Sequence, residues 1–331
     1  MSRKEKRIFS ILLLCVCVFL FVSPYFILPR VYAGRENWAD TAPPNATLLE
    51  LWEIDTFEGG SASRAKFLER RAYAFQKETF SAYVLVRSLS VSQAKAMLSS
   101  GVKPDLVSFG IGAGELLKPF CLPLETKYFA RSDLMQGGLV DSTLLAVPWC
   151  VGGYCLCADS SFDFSNLNQQ KIGCGMSYNV PAKSLSQDLQ PNLVKSYTQF
   201  EAYENFLRGE FNVLLGTQRD FYRLNKKAEN GVIGPVNYKF LDSYTDLMQM
   251  ICVCAIENKK VSEKFIEFLL SLQSQSKLTD IGLFSVLDIS IYSNEYVEFE
   301  NAIRESKKTL SVFTPNVNIL ALQGREDEKT M

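Results

Sequence analysis

Polar and aromatic side chains suited to ligand binding occupy a short loop near the start of the chain. The loop follows an apolar run, Leu48 to Ile54, that predicts a strand buried on both faces, and a Gly59–Gly60 break and a long helical pattern come after it. Its residues are Asp55, Thr56, Phe57 and Glu58. Ligands of open α/β sheets bind beyond the carboxyl ends of the strands, where this loop would lie. The alternative is that its carboxylates cap the helix and its aromatic ring packs inward.

A second strand-end loop, later in the chain, has a similar arrangement. Phe211 to Leu215 has the pattern of a strand, and a glycine and a threonine then lead to Gln218 and Arg219. The Arg219 guanidinium could pair with an anionic or hydroxyl-rich ligand, or it could bond a neighbouring carboxylate or carbonyl and take no part in binding. We interpret this loop as a second-lobe counterpart of the loop at Asp55.

Two aromatic residues flank an interruption in the long apolar stretch from Leu144 to Asp159. Pro148 and the pair Gly152–Gly153 interrupt the strand pattern, and such interruptions suit a strand that leaves one sheet and enters another. Trp149 precedes the glycine pair and Tyr154 follows it. Exposed aromatic faces bind the apolar faces of sugars and similar ligands, which is one hypothesis for this pair. The other is that both rings are core residues at a domain junction.

Composition excludes several classes of function. The 331 residues are 47% hydrophobic and 21% charged, enough for two domains or lobes with sizeable cores. The 35 basic and 36 acidic side chains leave no basic surplus, which argues against a nucleic-acid partner. Histidine is absent, so Ser-His-Asp catalysis, Cys-His catalysis and two-histidine zinc motifs are excluded. A hydrolase that uses Asp55 or Glu58 against an acid in the other lobe stays open.

The first 33 residues differ from the rest of the chain. Basic residues from Arg3 to Arg7 precede an apolar stretch from Ile8 to Val22, which can be extended to Leu28. This pattern is that of a secretory signal, cleaved after Ala33, or of a single membrane anchor, because the stretch approaches the roughly 20 residues that span a bilayer. Either alternative predicts that the bulk of the chain is exported.

The nine cysteines do not form a recognisable framework. Cys155 and Cys157 are two residues apart on a predicted strand, as are Cys252 and Cys254, so each pair faces one way and is poorly placed to bridge itself. This spacing is not typical of zinc sites. Seven cysteines lie outside the N-terminal apolar stretch, an odd number that cannot pair completely. We interpret them as small buried hydrophobic residues and expect no metal.

Strands and helices alternate after residue 47 in the order β-α-β-α-β, which predicts a parallel sheet with right-handed crossovers. The order along the whole chain resembles that of the bacterial type 1 extracellular solute-binding proteins that feed ATP-binding-cassette importers. The stretches that carry the resemblance are 51–60 (LWEIDTFEGG), 104–110 (PDLVSFG), 146–160 (AVPWCVGGYCLCADS), 200–220 and 261–286. Their order and spacing carry the match, because no single motif is decisive.

The resemblance implies an α/β, two-lobed, periplasmic-binding-protein-like (type II) fold with a ligand cleft between the lobes, preceded by an N-terminal apolar signal or anchor helix. The implied organisation is a signal or anchor at 1–33, a tether at 34–46, a first lobe at 47–148, a second lobe at 149–250, and a return to the first lobe with a C-terminal tail at 251–331. The implied ligand contacts are Asp55, Thr56, Phe57, Glu58, Phe109, Trp149, Tyr154, Gln218 and Arg219.

The implied function is that of a monomeric binding protein without enzymatic activity or cofactor. At the extracellular face of the bacterial cytoplasmic membrane, anchored or secreted, it would close its lobes on a small solute, with a sugar or oligosaccharide favoured, and deliver it to membrane permease subunits. The alternative is a membrane-anchored sensory or scaffold protein with the same fold and a protein partner. Two departures from the family are the lack of a lipoprotein cysteine and a short second lobe, which weakens the case for a large oligosaccharide.

Overall fold

Strands and helices alternate along most of the chain, and the computed structural model describes them over residues 46–54, 63–79, 82–125, 127–175, 193–196, 198–241, 247–293, 296–305 and 311–314. The strands are β1 (Thr47–Ile54), β2 (Ala82–Leu89), β3 (Leu106–Phe109), β4 (Leu139–Val140), β5 (Thr143–Leu144), β6 (Val147–Val151), β7 (Tyr154–Asp159), β8 (Ile172–Gly175), β9 (Leu193–Ser196), β10 (Val213–Thr217), β11 (Val236–Phe240) and β12 (Met248–Val253). The helices are α1 (Arg64–Thr79), α2 (Val91–Ser99), α3 (Gly114–Leu117), α4 (Ser132–Met135), α5 (Gln199–Leu207), α6 (Gln218–Glu229), α7 (Lys259–Leu269), α8 (Leu272–Gln275) and α9 (Tyr296–Glu305).

The first sheet has the strand order β2-β1-β3-β12-β6. β1 and β3 pair in parallel, with Leu51 opposite Leu106, which agrees with the β-α-β-α-β order of the sequence. β12 pairs antiparallel with both β3 and β6, so the sheet is mixed. β1, β3 and β6 therefore point the same way, and their carboxyl ends share one edge with the beginning of β12.

The second sheet has the order β11-β7-β10-β8-β9 and is also mixed. β10 pairs antiparallel with β7 and in parallel with β8, which in turn pairs in parallel with β9. β11 pairs antiparallel with β7. As a result, the start of β7 lies at the same edge as the carboxyl ends of the other four strands.

The chain passes from the first sheet to the second at Gly152–Gly153, between β6 and β7, and it returns between β11 and β12. Both passages leave and enter at the strand ends just described, which we call the crossing edges of the two sheets. The Gly152 amide donates to the Leu247 carbonyl at 2.6 Å, so the outgoing and returning segments are bonded to each other. The predicted lobe boundaries, after residues 148 and 250, fall inside β6 and β12, and these boundaries stay a prediction.

Helix α1 shows why the sequence pattern produces a buried layer on the first sheet. Its apolar residues recur at helical spacing, so Phe67, Leu68 and Phe75 are buried on one side while charged residues lie between them. Phe75 meets Phe265 of α7 edge to face, with ring centroids 5.3 Å apart. Helices from the two ends of the described chain therefore cover the sheet together.

Helix α9 packs against both sheets through stacked aromatic rings. The rings, which we call the aromatic cluster, are Phe221, Tyr222, Tyr238, Phe240, Phe284, Tyr292, Tyr296 and Phe299. Phe299 of α9 lies 5.3 Å from Tyr238 of β11 and 5.5 Å from Phe284. Phe284 is bridged to Val151 at the end of β6, with amide–carbonyl bonds of 2.9 and 3.1 Å. The cluster thus joins an edge strand of the second sheet to the first sheet.

From Leu48 onwards, the described residues form one unit by their contacts. No helix among the described residues is both long and apolar enough to cross a membrane. The predicted signal or anchor lies outside the described residues. The seven cysteines within them are buried and unbridged, as predicted for small hydrophobic side chains.

Candidate functional site

The residues predicted to bind a ligand fall at the crossing edges of the two sheets. Ile54, Phe109 and Val151 end the three strands of the first sheet that point the same way, and Thr217 ends β10 of the second. Asp55, Thr56, Phe57 and Glu58 follow Ile54 directly and lie outside the described residues. Their participation in binding stays a prediction.

Trp149 is a core residue rather than an exposed platform. Its side chain is fully buried in β6, and the ring stacks on Phe67 of α1 with centroids 5.6 Å apart and planes at 11°. The indole N–H donates to Ser108 Oγ at 3.0 Å, which satisfies the one polar atom of the ring. The expected exposed face is therefore wrong for Trp149, because α1 covers β6 at this position.

Phe109 is covered by a segment close to the C-terminus. It is fully buried at the end of β3, and its ring centroid lies 5.8 Å from that of Phe313. The same short segment, residues 311–314, is fixed by the Val312 amide, which donates to the Gly137 carbonyl at 2.8 Å. It also packs so closely on Gly114 that a Cβ there would lie 1.9 Å from the Val312 carbonyl oxygen. Phe109 therefore packs against a segment of the same chain that is distant in sequence, residues 311–314.

The structure brings Tyr154, Gln218 and Arg219 together where the chain enters the second sheet. Tyr154 is buried at the start of β7, so the expected exposed face is wrong for this ring too. The residue pairs with Thr217 at the end of β10. The Gln218 backbone N–H donates to the Gly153 carbonyl at 3.1 Å, and Gln218 Oε1 accepts the Gly153 N–H at 2.9 Å. Gln218 thus holds the crossing against α6. Arg219, the next residue, is partly exposed.

The first turn of α6 is fixed by a buried polar network that the sequence analysis missed. Asp220 accepts from the Thr217 amide at 3.0 Å and from Gln199 Nε2 at 3.1 Å, while Gln199 Oε1 accepts the Gly175 N–H at 2.8 Å. The carboxylate of Asp220 therefore occupies the positive end of α6, where an anionic ligand group would otherwise bind. This arrangement favours uncharged ligand groups over a phosphate at the start of α6.

A second buried polar network lies at the crossing edge of the first sheet. Arg64 Nε and Glu53 Oε1 are 3.4 Å apart, and Gln249 Nε2 donates to Glu53 at 3.3 Å and to the Ile54 carbonyl at 2.9 Å. Burial raises the pKa of Glu53 above its usual value, and the Arg64 guanidinium only partly opposes this shift. The sequence contained a signal for this site, because Glu53 and Gln249 interrupt otherwise apolar strands.

Two surface cavities lie away from these residues. One, of about 500 Å³, lies at the edge of the second sheet opposite the crossing and is lined by Asp159, Phe162, Asp163, Phe206 and Phe211 among others. The other, of about 330 Å³, borders Tyr222, Tyr292 and Tyr296 of the aromatic cluster. No group of three or more cysteines and carboxylates within the described ranges is placed to hold a metal ion.

Solved structures of several binding proteins share this fold. The sugar-binding protein MalE from Xanthomonas citri matches with a TM-score of 0.65 and 13% identity, over 84% of this chain and 90% of that one. The GacH receptor of Streptomyces glaucescens, described unliganded and with acarbose, matches with a TM-score of 0.64 and 12% identity over 84% and 91%. The binding protein AgtB from Agrobacterium tumefaciens, described with agropinic acid, matches with a TM-score of 0.51 and 14% identity over 84% and 96%.

Neither the comparison with protein-family models nor that with curated proteins gives a match. The structural matches cover most of both chains, so the predicted α/β, two-lobed, periplasmic-binding-protein-like fold is confirmed. Identities of 12% to 14% establish the fold and leave the ligand open.

Proposed function

We propose that this chain, which has the fold of extracellular solute-binding proteins, captures a small solute between its lobes and delivers it to the membrane permease of an ATP-binding-cassette importer. The observation that carries the proposal is the double passage of the chain between two sheets at their crossing edges, seen here at Gly152–Gly153 and before β12. In such a fold the passages act as a hinge, and a ligand that contacts both lobes stabilises the closed form.

The proposed solute is a carbohydrate or a similar uncharged, hydroxyl-rich molecule. Structures that share the fold are described as sugar-binding or acarbose-binding, although one is described with agropinic acid. The electrostatics of the second lobe support this class, because Asp220 already occupies the positive end of α6. Arg219 then supplies guanidinium hydrogen-bond donors beside a helix end whose positive charge Asp220 already balances. We propose Asp55 to Glu58, Tyr154, Gln218 and Arg219 as the contacts.

The neighbours also support a role in binding rather than catalysis, because they are described as binding proteins and receptors. The localisation we propose is the extracellular face of the membrane, and permease subunits are the proposed partners. Both proposals rest on the fold and on the basic and apolar N-terminal pattern of the sequence.

A thermal-shift titration of the purified full-length chain tests the proposal. The panel contains mono- and oligosaccharides, amino acids, short peptides and polyamines. A solute that binds only the folded protein stabilises it by about 2.7 kcal/mol at a hundred times its dissociation constant, so we expect a melting temperature that rises with sugar concentration. Arg219→Ala should abolish the shift.

Arg208→Ala is the matched control, because Arg208 is an exposed arginine at the end of α5, on the side of the second lobe away from the crossing edge. This variant should keep the full shift. A saturable shift that survives Arg219→Ala would remove Arg219 from the site. A shift with amino acids or polyamines and none with sugars would contradict the carbohydrate class.

One observation favours the second candidate, a sensory or scaffold protein that uses this fold to bind a protein partner. Phe109 and Trp149, two of the aromatic residues expected in the cleft, are fully buried within the protein, and Phe313 covers the first of them. An absence of any thermal shift across the panel, with a folded sample, would support this candidate over solute import.

A further inference from the structure

Three buried thiols meet beside the last strand of the first sheet. Cys252 Sγ and Cys254 Sγ are 3.7 Å apart. The Cys121 thiol donates to the Leu117 carbonyl at 3.4 Å, and it lies close enough to Cys252 and Cys254 to shift the pKa of each. Cys252 is fully buried, whereas Cys121 and Cys254 retain 8% and 9% exposure. No function proposed for the crossing edges uses these thiols, which lie where β12 ends, at the opposite edge of the sheet.

The backbone favours a disulfide between Cys121 and the neighbouring β12 segment, and it disfavours a disulfide between Cys252 and Cys254. The Leu122 amide donates to the Val253 carbonyl at 2.8 Å, so the segment carrying Cys121 lies alongside β12 as a neighbouring strand would. Cross-strand neighbours have Cα atoms about 4.5 to 5.5 Å apart, within the range of disulfides. Cys252 and Cys254 belong to one extended segment, whose alternate residues are roughly 6.6 Å apart, near the upper limit of that range.

Access selects the partner of Cys121. A disulfide forms by exchange only when a thiolate can reach the sulfur of an incoming disulfide. Both residues are buried, but Cys254 keeps 9% of its surface exposed, whereas Cys252 keeps none. We propose that Cys121 and Cys254 form an oxidation site, in which a low-molecular-weight disulfide converts the two thiols to an intramolecular disulfide that fastens the segment after α3 to β12.

The exchange balances without any other reactant. The Cys254 thiolate attacks the small disulfide, forms a mixed disulfide and releases one small thiolate. The Cys121 thiol then loses its proton and attacks the Cys254 sulfur, which forms the Cys121–Cys254 bond and releases the second small thiol. The environment suits these roles, because hydrogen bonds from both neighbouring thiols lower the pKa of Cys254. Burial raises the pKa of Cys252, which keeps it protonated.

The test uses the full-length chain and oxidised glutathione as the probe. After incubation, the protein is denatured, alkylated with iodoacetamide, digested without reductant and mapped by mass spectrometry. We expect a cross-linked peptide joining Cys121 to Cys254, lighter by about 2 Da than the sum of its reduced peptides, and alkylated Cys252. If the oxidised protein is reduced before alkylation, both cysteines should be alkylated again.

Cys121→Ser should abolish the cross-link, and Cys252→Ser should retain it, so the two variants distinguish the proposed pair. Cys150→Ser, another buried cysteine in the same sheet, is the matched control and should retain it as well. Circular dichroism confirms that each variant is folded. A map in which Cys121 and Cys254 remain alkylated after oxidation, or in which Cys252 is the bridged residue, overturns the proposal. No solute is needed, so this result is independent of the proposed import function.

Discussion

At the scale of single residues, polar side chains buried at the two crossing edges set the local electrostatics. Gln218 and Asp220 fix the start of α6 against the crossing, and Glu53 with Arg64 and Gln249 fixes the end of β1. The side chains of Asp220, Glu53 and Gln249 each make more than one bond. Buried polar groups are costly when a partner is lost, so these positions resist substitution more than exposed loop residues do.

The pH dependence of stability should report the buried carboxyl of Glu53. Its pKa is raised in the folded protein, so the folded state binds this proton more tightly than the unfolded state does. The resulting stabilisation is complete below the pKa that Glu53 has in the unfolded state. It is lost as the pH rises through the pKa that Glu53 has in the folded state. We therefore expect the free energy of unfolding of the wild type, minus that of Glu53→Gln, to fall as the pH rises above about 4.3, the ordinary pKa of a glutamate.

Urea unfolding at a series of pH values measures this difference. Glu69→Gln removes an exposed carboxylate from α1 and controls for the loss of one negative charge. A difference between the wild type and Glu53→Gln that rises instead as the pH increases would show that the ion pair with Arg64 outweighs burial.

At the scale of elements, the crossing between β6 and β7 depends on two glycines for close approach rather than for unusual backbone angles. A Cβ on Gly153 would lie 2.9 Å from both Phe299 Cε1 and Ile303 Cδ1 of α9, and a Cβ on Gly152 would lie 2.8 Å from Gln218 Nε2. The crossing is thus enclosed by a helix from each side. The Gly-Gly pair allows the strand to pass between them.

Gly153→Ala should destabilise the protein by about 1 to 3 kcal/mol, because the added methyl group forces buried side chains of α9 to move. Gly234→Ala is the control, since a Cβ there meets only Asp159 Oδ2 at 3.5 Å, an ordinary contact. We expect that variant to change the free energy of unfolding by less than about 1 kcal/mol. Urea denaturation measures the free energy of unfolding of both variants. Equal values for the two would contradict close packing at the crossing.

The sequence predicted the positions of strands better than it predicted which side chains pack against each other. The strands at Leu48 to Ile54 and 106–109 and the interruption at Gly152–Gly153 were predicted correctly, because apolar runs and glycines are local signals. For Trp149 the sequence left an exposed face and a core position open, and it could not decide between them, because the ring's partner, Phe67, comes from a distant helix. Alternation along a strand cannot indicate which face a later helix covers. For the same reason, the covering of Phe109 by Phe313 had no signal near Phe109.

At the scale of the whole molecule, the aromatic cluster is the main apolar connection between α9 and both sheets. Phe299 stacks on Tyr238 and Phe284 and meets Phe240 edge to face at 5.2 Å. Such rings contribute through buried area and through their mutual geometry. A cluster that spans both sheets couples the stability of one to that of the other.

Phe299→Ala should lower the free energy of unfolding by about 3 to 5 kcal/mol and loosen both sheets at once. Amide hydrogen exchange should become faster in β11 and around Phe284, not only in α9. Phe129→Ala, at a ring that is 80% exposed, should change stability by less than about 0.5 kcal/mol. Faster exchange confined to α9 would show that the cluster does not couple the sheets.

The position of β12 has a consequence for the order in which the protein can be assembled. β12 is the last strand of the described chain, yet it lies between β3 and β6. During synthesis these two strands emerge early, and each presents an unpaired edge until residues 248–253 arrive. Every strand of the second sheet, in contrast, lies in the single stretch from Tyr154 to Phe240. A ribosome therefore delivers every strand of the second sheet while the first sheet still lacks β12. The first sheet can close only after residues 248–253 have been synthesised.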